Sequence, residues 1–460
     1  MIKRTLANIA RMIGASVEER WGEVEIAGVS TDTRTLLPGN LYVPIVGERF
    51  DGHQFAEGAV SKGAGALLWK HGVTGAPDDV PVVYVDDTLH AIQRLAAAYR
   101  RQLGVRVIGV TGSNGKTSTK DILAAVLATR YKTQKTPGNL NNHLGVPLTL
   151  LGLEEETEYA VVEMGMSGLG EIRELSEIVK PDTAIITSVS EVHLGDLGTR
   201  ERIMQAKLEI TEGLKTLDHL LIYNGDHERL YRIVHEMNLP CKRVTFGERM
   251  YNQLRAEEIR VTRHGISFKV GEMRVQSPVL GKHQVFNTLA AIAAAKHAGL
   301  TDEEIRRGLE QVQLTGMRTE WEEAGGVSII NDAYKSNPSS VKAALDLVYA
   351  LEPYDQKIVV LGDMVELGEE STALHREIGR YLRPEQLDYV FTIGSAARDI
   401  AVVAAGRFAR GRVIACADQD ELISKLAPVV SEGTLLLVKG SRTLGLERLV
   451  EALKEGAQAG

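Results

Sequence analysis

Residues 105–120 read VRVIGVTGSNGKTSTK, and the fold is decided there. The apolar run Val105–Val110 has the composition of a buried parallel strand. From Asp121 to Arg130 the spacing is helical, Ile122 with Val126 and Leu123 with Leu127. Between strand and helix lie Gly112, Ser113, Asn114, Gly115, Lys116 and Thr117. In such a loop the backbone N–H groups converge on an anion, and glycine permits both the required φ values and close approach of the backbone. Lys116 adds a point charge, the Thr117 hydroxyl offers an oxygen to a magnesium ion, and the helix N-terminus contributes its partial positive charge. The loop is one or two residues tighter than the general pattern GxxxxGK[ST]. A nucleotide phosphate is the expected ligand.

Composition narrows the class. With 460 residues the chain has room for two to four domains, each with its own core. A content of 44% hydrophobic and 25% charged residues indicates neither disorder nor a coiled coil. The net charge of −8 argues against general nucleic-acid binding, while leaving room for a local basic pocket. Cys241 and Cys416 lie far apart and suit a reducing compartment. The start, MIKRTLANIARMIGA, reads as an amphipathic first helix rather than a signal peptide. No apolar stretch approaches the roughly 18 residues of a membrane span. A cytoplasmic protein without membrane insertion is expected.

Three α/β units are expected. Residues 1–103 carry short strand candidates at Val24–Val29, Leu41–Ile45, Ala66–Trp69 and Val82–Val85, closed by a helix from Thr88 to Arg101. Their polar loops, Asp32-Thr33-Arg34 and Gly47 to His53, read either as solvated turns or as a pocket with Arg34 and Arg49 as anion contacts. Residues 104–316 alternate strands and helices, which implies parallel strands with right-handed crossovers. Ligands in such sheets sit beyond the carboxyl ends of the strands, where Thr117, Glu163 and His193 should converge. Residues 317–460 repeat the doubly wound pattern without a phosphate loop, and the tail Glu455–Gly460 is expected to fray.

Four side chains stand out as chemistry. Glu163 closes a strand otherwise made of Val and Ala, so its carboxylate is solvated, paired or a metal ligand; Thr117 makes magnesium a natural partner. His193 follows the Ile-Ile-Thr strand and is either a satisfied loop histidine or a metal-side residue. Lys207, on a helix, reads by pattern as a solvated lysine. Arg318 follows Gly316-Met317 at a domain junction, within reach of a γ-phosphate.

The ordered set TGSNGKTSTK, TPGNLNNHLGVP, VEMGMSGLGEI, HQVFNTLAA, GMRTE, NDAYKSNPSS and LGDMVELG resembles the Mur ligase family, and within it the dipeptide-adding branch, over the whole chain. The resemblance implies three domains: a small mixed α/β N-terminal domain for a uridine-nucleotide substrate, a central phosphate-loop ATPase domain of parallel sheet, and a C-terminal Rossmann-like domain. It implies ATP and Mg2+ as cofactors, small-molecule substrates and a monomer. The activity implied is addition of D-alanyl-D-alanine to UDP-N-acetylmuramoyl-tripeptide through an acyl phosphate, in cell-wall precursor assembly. Carried over onto this sequence, ATP would meet Gly112, Ser113, Asn114, Gly115, Lys116, Thr117 and Ser118, then His283 and Asn287 at adenine. Arg318 would swing onto the phosphates, and Asp332 and Tyr334 would complete the nucleotide site. Thr117, Glu163, His193 and Lys207, the last as a carbamate, would hold magnesium. Thr33, Arg34, Arg49 and Asp51 resemble the uridine-nucleotide loops, and Asn139, Asn141 and Asn142 the central substrate loop. Lys116, Glu163, His193, Lys207 and Arg318 form the implied catalytic set.

Two positions depart from the family pattern. Gly195 stands where an acidic residue often follows the histidine, and Lys335 stands where Asn often follows the Tyr of Asp-x-Tyr. A lysine- or diaminopimelate-adding member, a folylpolyglutamate-synthase-like ligase and a nucleotide-binding scaffold without catalysis are the alternatives. The absence of a DNPR-like motif favours the dipeptide, and the presence of Lys116 and Glu163 favours catalysis.

Overall fold

A computed structural model describes residues 1–47 and 50–458. The central unit is a seven-stranded, all-parallel sheet. The strand Arg106–Thr111 is interior to it, flanked by Thr183–Ile186 and Tyr159–Glu163. Val107, Ile108 and Val110 are buried, as a strand covered on both faces requires. The strand ends at Gly112, and the helix Lys116–Leu127 starts directly after Gly115. This helix begins a turn earlier than its apolar spacing suggests, because Gly115 in the left-handed region (φ 82) turns the chain straight into it. The alanine-rich helix His283–His297 packs on Lys116–Leu127 over one face of the sheet.

The C-terminal unit is a six-stranded sheet. Five of its strands are parallel, and the edge strand Glu320–Ala324 runs antiparallel to Val327–Asp332. The strand Thr434–Lys439 lies between Val327–Asp332 and Gln356–Gly362, so the last strand in sequence is central in space. All six of its residues are buried. The helix Glu447–Gln458 continues into the tail that the sequence suggests is frayed.

The N-terminal unit holds four short parallel strands: Val29–Ser30, Leu41–Tyr42, Ala66–Lys70 and Val82–Val85. Its opening differs from the expected helix. Lys3–Thr5 forms a strand paired antiparallel with Glu25–Ala27, and the helix Leu6–Ile13 starts only after the Thr5 cap. The run Val24–Val29 is likewise two strands, broken at Gly28 (φ 85), where a Cβ would meet the Asn40 amide at 2.9 Å. An antiparallel meander of Glu257–Thr262, Gly265–Val270 and Met273–Ser277 lies beside the helix Asp302–Glu310. No helix among the described residues is long and apolar enough to cross a membrane.

Candidate active site

The carboxyl edges of the two large sheets face one cavity of about 890 Å³. Ser113, Asn114, Gly115, Lys116, Thr117 and Ser118 line it from the phosphate loop. Gly112 lies beneath, where a Cβ would stand 2.0 Å from the Thr187 hydroxyl at φ 145, so only glycine fits. Gly115 is pinned in the same way, since a Cβ there would come within 2.2 Å of Asn287 Oδ1. Half-buried Lys116 folds back on its own loop, its Nζ donating to the carbonyls of Gly112 at 2.8 Å and Ser113 at 3.3 Å. Burial pushes its pKa down to about 8; Lys335 and Arg318 add to this and Glu163 opposes it.

Glu163, His193, Asn139, Asn141, Asn142, His283, Asn287, Arg318, Asp332 and Tyr334 all line the same cavity. Glu163 is 1% exposed. Its Oε1 accepts from Asn141 Nδ2 at 2.7 Å, while Oε2 is buried without a hydrogen-bond partner. A carboxylate oxygen left that way is costly unless a cation completes it. His193 holds a left-handed backbone (φ 65). Its Nδ1 lies 3.2 Å from Asp196 Oδ2 and 3.1 Å from Glu366 Oε2. Carboxylates only accept, so the ring proton belongs on Nδ1 and Nε2 keeps its lone pair. Burial favours the neutral ring, reinforced by Lys335, Lys207 and Lys116.

Lys207 is not the solvated residue that its pattern suggests. It is 1% exposed. Glu209 instead caps the amides of Gly170 and Arg173, and Glu212 pairs with Lys215. Burial drives the Lys207 pKa well below the ordinary lysine value, with Lys116 and Lys335 adding repulsion. The side chain does not itself line the cavity.

Arg318 sits between two left-handed residues, Met317 (φ 56) and Thr319 (φ 55), at the junction of the two sheets. Strain of that kind is tolerated where the backbone must turn for a purpose. The guanidinium stacks 4.1 Å from the centroid of the Tyr334 ring, and Nε is buried without a partner. Asp332 Oδ2 pairs with Lys439 Nζ at 2.7 Å, and its Oδ1 accepts from the Thr319 amide at 3.2 Å. His283 Nδ1 is a further buried nitrogen without a partner.

The N-terminal candidates are elsewhere: Thr33, Arg34 and Asp51 do not line this cavity. Arg34 forks onto Asp32, Nη2 to Oδ2 at 2.6 Å, with 86% of its side chain exposed. Asp51 Oδ1 meets His53 Nδ1 at 2.5 Å. The Thr33 carbonyl accepts from Lys62 at 2.7 Å. Arg49 falls outside the described residues.

Three contributors escape sequence reasoning. Lys120, wholly buried, donates to the carbonyls of Thr136 at 3.0 Å and Gly138 at 2.7 Å, and lies 3.9 Å from Glu163 Oε2. It ties the phosphate-loop helix to the loop that carries Asn139, Asn141 and Asn142. Next to it, Asp121 Oδ1 accepts from Lys135 at 2.6 Å, and its Oδ2 takes the amide and hydroxyl of Thr315, each at 2.8 Å, just before the Arg318 junction. Asn337, the cap of the helix Pro338–Ala350, exchanges hydrogen bonds with Asn114 at 3.1 and 2.8 Å. The adjacency of Lys120 to Lys116 in the motif is the one available signal, and a helical lysine there reads equally well as solvated.

Comparisons with known proteins agree with this architecture. Family models match residues 25–100 (Mur ligase family, catalytic domain), 110–295 (Mur ligase middle domain) and 317–442 (Mur ligase, glutamate ligase domain). The UDP-N-acetylmuramoyl-tripeptide–D-alanyl-D-alanine ligase of Bacillus subtilis is 45% identical over 99% of both chains. A crystal structure of MurF from Acinetobacter baumannii superposes with a TM-score of 0.90 at 30% identity, covering 99% of each chain. The Thermotoga maritima MurF ligase, solved in complex with ADP, does so with a TM-score of 0.82 at 26% identity, covering 94% of this chain and 98% of that one. With family models matched along three successive stretches and a relative 45% identical over 99% of both chains, the chain belongs to the Mur ligase family.

Proposed function

We propose that this chain is an ATP-dependent ligase that joins D-alanyl-D-alanine to UDP-N-acetylmuramoyl-tripeptide in peptidoglycan precursor synthesis. The observation that carries the reading is one cavity holding a phosphate loop, a buried carboxylate with one oxygen free of hydrogen bonds and a junction arginine, in a chain 45% identical to a ligase of that name. A carboxylate does not acylate an amine in water, because oxide is a poor leaving group. Transfer of the γ-phosphoryl group of ATP to the tripeptide carboxylate releases ADP and forms an acyl phosphate. The dipeptide amine then attacks the carbonyl carbon, the C–O bond to phosphate breaks, and the amine gives up its proton.

Each residue has a task in that sequence. Lys116 and the N-terminus of the helix Lys116–Leu127 offset charge on the phosphates, and Arg318 reaches the transferring group from the junction. His283 and Asn287 take the adenine end, with Asp332 and Tyr334 opposite. Asn139, Asn141 and Asn142 hold the substrate arm. Thr33, Arg34, Arg49 and Asp51 serve the uridine nucleotide on the N-terminal unit, which keeps that anchor apart from the reacting carboxylate. The orphaned oxygen of Glu163, the Thr117 hydroxyl and a His193 ring with a free lone pair fit a magnesium site. When bound, magnesium supplies positive charge to the phosphoryl oxygens. Lys207 fits the role of carbamate: CO2 adds only to a neutral amine, burial favours that form, and the product exchanges a cation for two oxygen ligands.

Phosphate release tests the assignment. It should require ATP, magnesium, a UDP-muramoyl-tripeptide and D-alanyl-D-alanine together. Equal turnover with L-lysine and a UDP-muramoyl-dipeptide would overturn it.

A further inference from the structure

The two positions that depart from the family pattern, Gly195 and Lys335, meet at one residue. The strand Gln356–Gly362 leads into a loop held from several sides. Asp363 Oδ1 accepts from the Ala397 amide at 2.7 Å, and the Asp363 carbonyl accepts from Ser441 Oγ at 3.0 Å. Wholly buried His375 accepts from the Met364 amide at 3.0 Å, with its other ring nitrogen donating to the Ser371 carbonyl at 2.7 Å. So fixed, Glu366 takes a left-handed backbone (φ 65) and sends its carboxylate out of the C-terminal unit. Oε2 stands 3.1 Å from His193 Nδ1 and 3.0 Å from Lys335 Nζ.

The backbones beside it touch. The Gly195 amide donates to the Glu366 carbonyl at 2.9 Å. A Cβ on Gly195 would stand 2.9 Å from the Gly368 nitrogen, and one on Gly368 would stand 2.8 Å from Gly195 Cα. The two units therefore meet at a distance that only a pair of glycines permits. Glycine at 195 allows the approach, and lysine at 335 holds the carboxylate that arrives.

We infer that Glu366 is a positioning residue: from the C-terminal unit its carboxylate stands beside His193 Nδ1 and, together with Asp196, keeps the ring proton on that nitrogen, leaving Nε2 as the cation-facing lone pair when the two units are docked. Asp196, three residues along the same segment, is the local partner for that proton, so undocking leaves the ring to Asp196 alone. Docking thereby adds a second carboxylate to the one that orients the cation-side histidine. The inference rests on His193 being a metal-side residue, as proposed above. Losing an outer partner of a metal-side histidine typically costs about 10–100-fold in metal affinity.

The test is Mn2+ binding, read by electron paramagnetic resonance with a non-hydrolysable ATP analogue present. Glu366→Ala should weaken Mn2+ binding about tenfold, with Glu366→Gln, which keeps a carbonyl acceptor, falling between it and the parent. Gly195→Ala, which forces the loops apart, should weaken binding similarly and add little in the double variant with Glu366→Ala. Imidazole ¹⁵N spectra of the nucleotide-free protein, assigned with His193→Gln, should show the Nδ1–H form in the parent and a mixture in Glu366→Ala. Parent-like Mn2+ binding in Glu366→Ala, where His193→Gln weakens it, overturns the inference. Parent-like binding in His193→Gln overturns the metal-side reading of His193 instead. If Glu366→Ala fails to fold, Glu366→Gln and Gly195→Ala decide: parent-like binding in both overturns the inference.

Discussion

The central sheet and the N-terminal sheet both present polar loops at the carboxyl ends of parallel strands, yet they differ in one physical respect. Around the phosphate loop, buried polar atoms lack hydrogen bonds: Glu163 Oε2, His283 Nδ1 and Arg318 Nε have no hydrogen-bond partner. On the N-terminal unit the corresponding groups are already paired, exposed Arg34 with Asp32 and half-buried Asp51 with buried His53. Buried orphans carry a standing cost that a ligand relieves. A solvated pair such as Arg34 with Asp32 carries none, and exchanges one partner for another with little net change. In the proposed function the first edge stabilises charge in a transition state and the second holds a substrate's distant end.

That contrast can be broken most directly at Lys116. Lys116→Ala should lower turnover by roughly 100-fold or more, the loss of about 3 kcal/mol of charge stabilisation, with the melting temperature retained. Steady-state phosphate release and a thermal melt check it, and a variant with near-parent turnover would place the transferring group elsewhere.

A smaller effect, of roughly 10–100-fold, is expected for Lys207→Ala, partly recovered by acetate. Recovery would show that carboxylate oxygens, and not an ammonium, are what the position supplies. Loss without recovery by any short carboxylate would count against the carbamate, and normal turnover would return Lys207 to a packing role.

Gly115→Ala tests the geometry of the loop rather than its charge. The added Cβ, 2.2 Å from Asn287 Oδ1 at φ 82, should cost about 1–3 kcal/mol in stability. Nucleotide affinity, measured by calorimetry, should fall with it. An unchanged melt would mean that the loop relaxes more freely than its contacts suggest.

Proton linkage gives a finer test. Because burial lowers the Lys116 pKa to about 8, the free protein loses this proton well before an unfolded chain does. Stability from this group therefore rises with pH between about 8 and the ordinary lysine value near 10.5. Phosphates favour the charged form, so nucleotide binding above about pH 8 should draw a proton from the buffer. Calorimetry in buffers of unlike ionisation enthalpy reads the uptake, and its absence at high pH would contradict the assignment.

The smallest effect belongs to the other edge. Arg34→Ala should raise KM for the uridine substrate while leaving nucleotide affinity and the melt unchanged. A drop in kcat at saturating substrate would erase the distinction between the two edges.

Local order decided how much of this could be read from the chain alone. VRVIGVTGSNGKTSTK encodes strand, turn and helix within sixteen consecutive residues, so the phosphate loop, its glycines and Lys116 follow from apolar pattern and backbone freedom. The parallel strands Tyr159–Glu163 and Tyr389–Ile393 fall where their apolar runs place them, because a strand covered on both faces must be apolar throughout. The strand Thr133–Lys135 is polar and lies at a sheet edge, and it has no such signature. Lys207 is a lysine on a helix by any local measure; only the elements that cover it make it a buried side chain. Glu366 and Gly195 are 171 residues apart, the difference of their positions, and nothing in either neighbourhood specifies that their backbones touch. Spacing along the chain determines which groups a turn or helix end presents. Which groups lose water, and which charge from another domain stands 3 Å away, is decided by packing between elements whose order in space differs from their order in sequence.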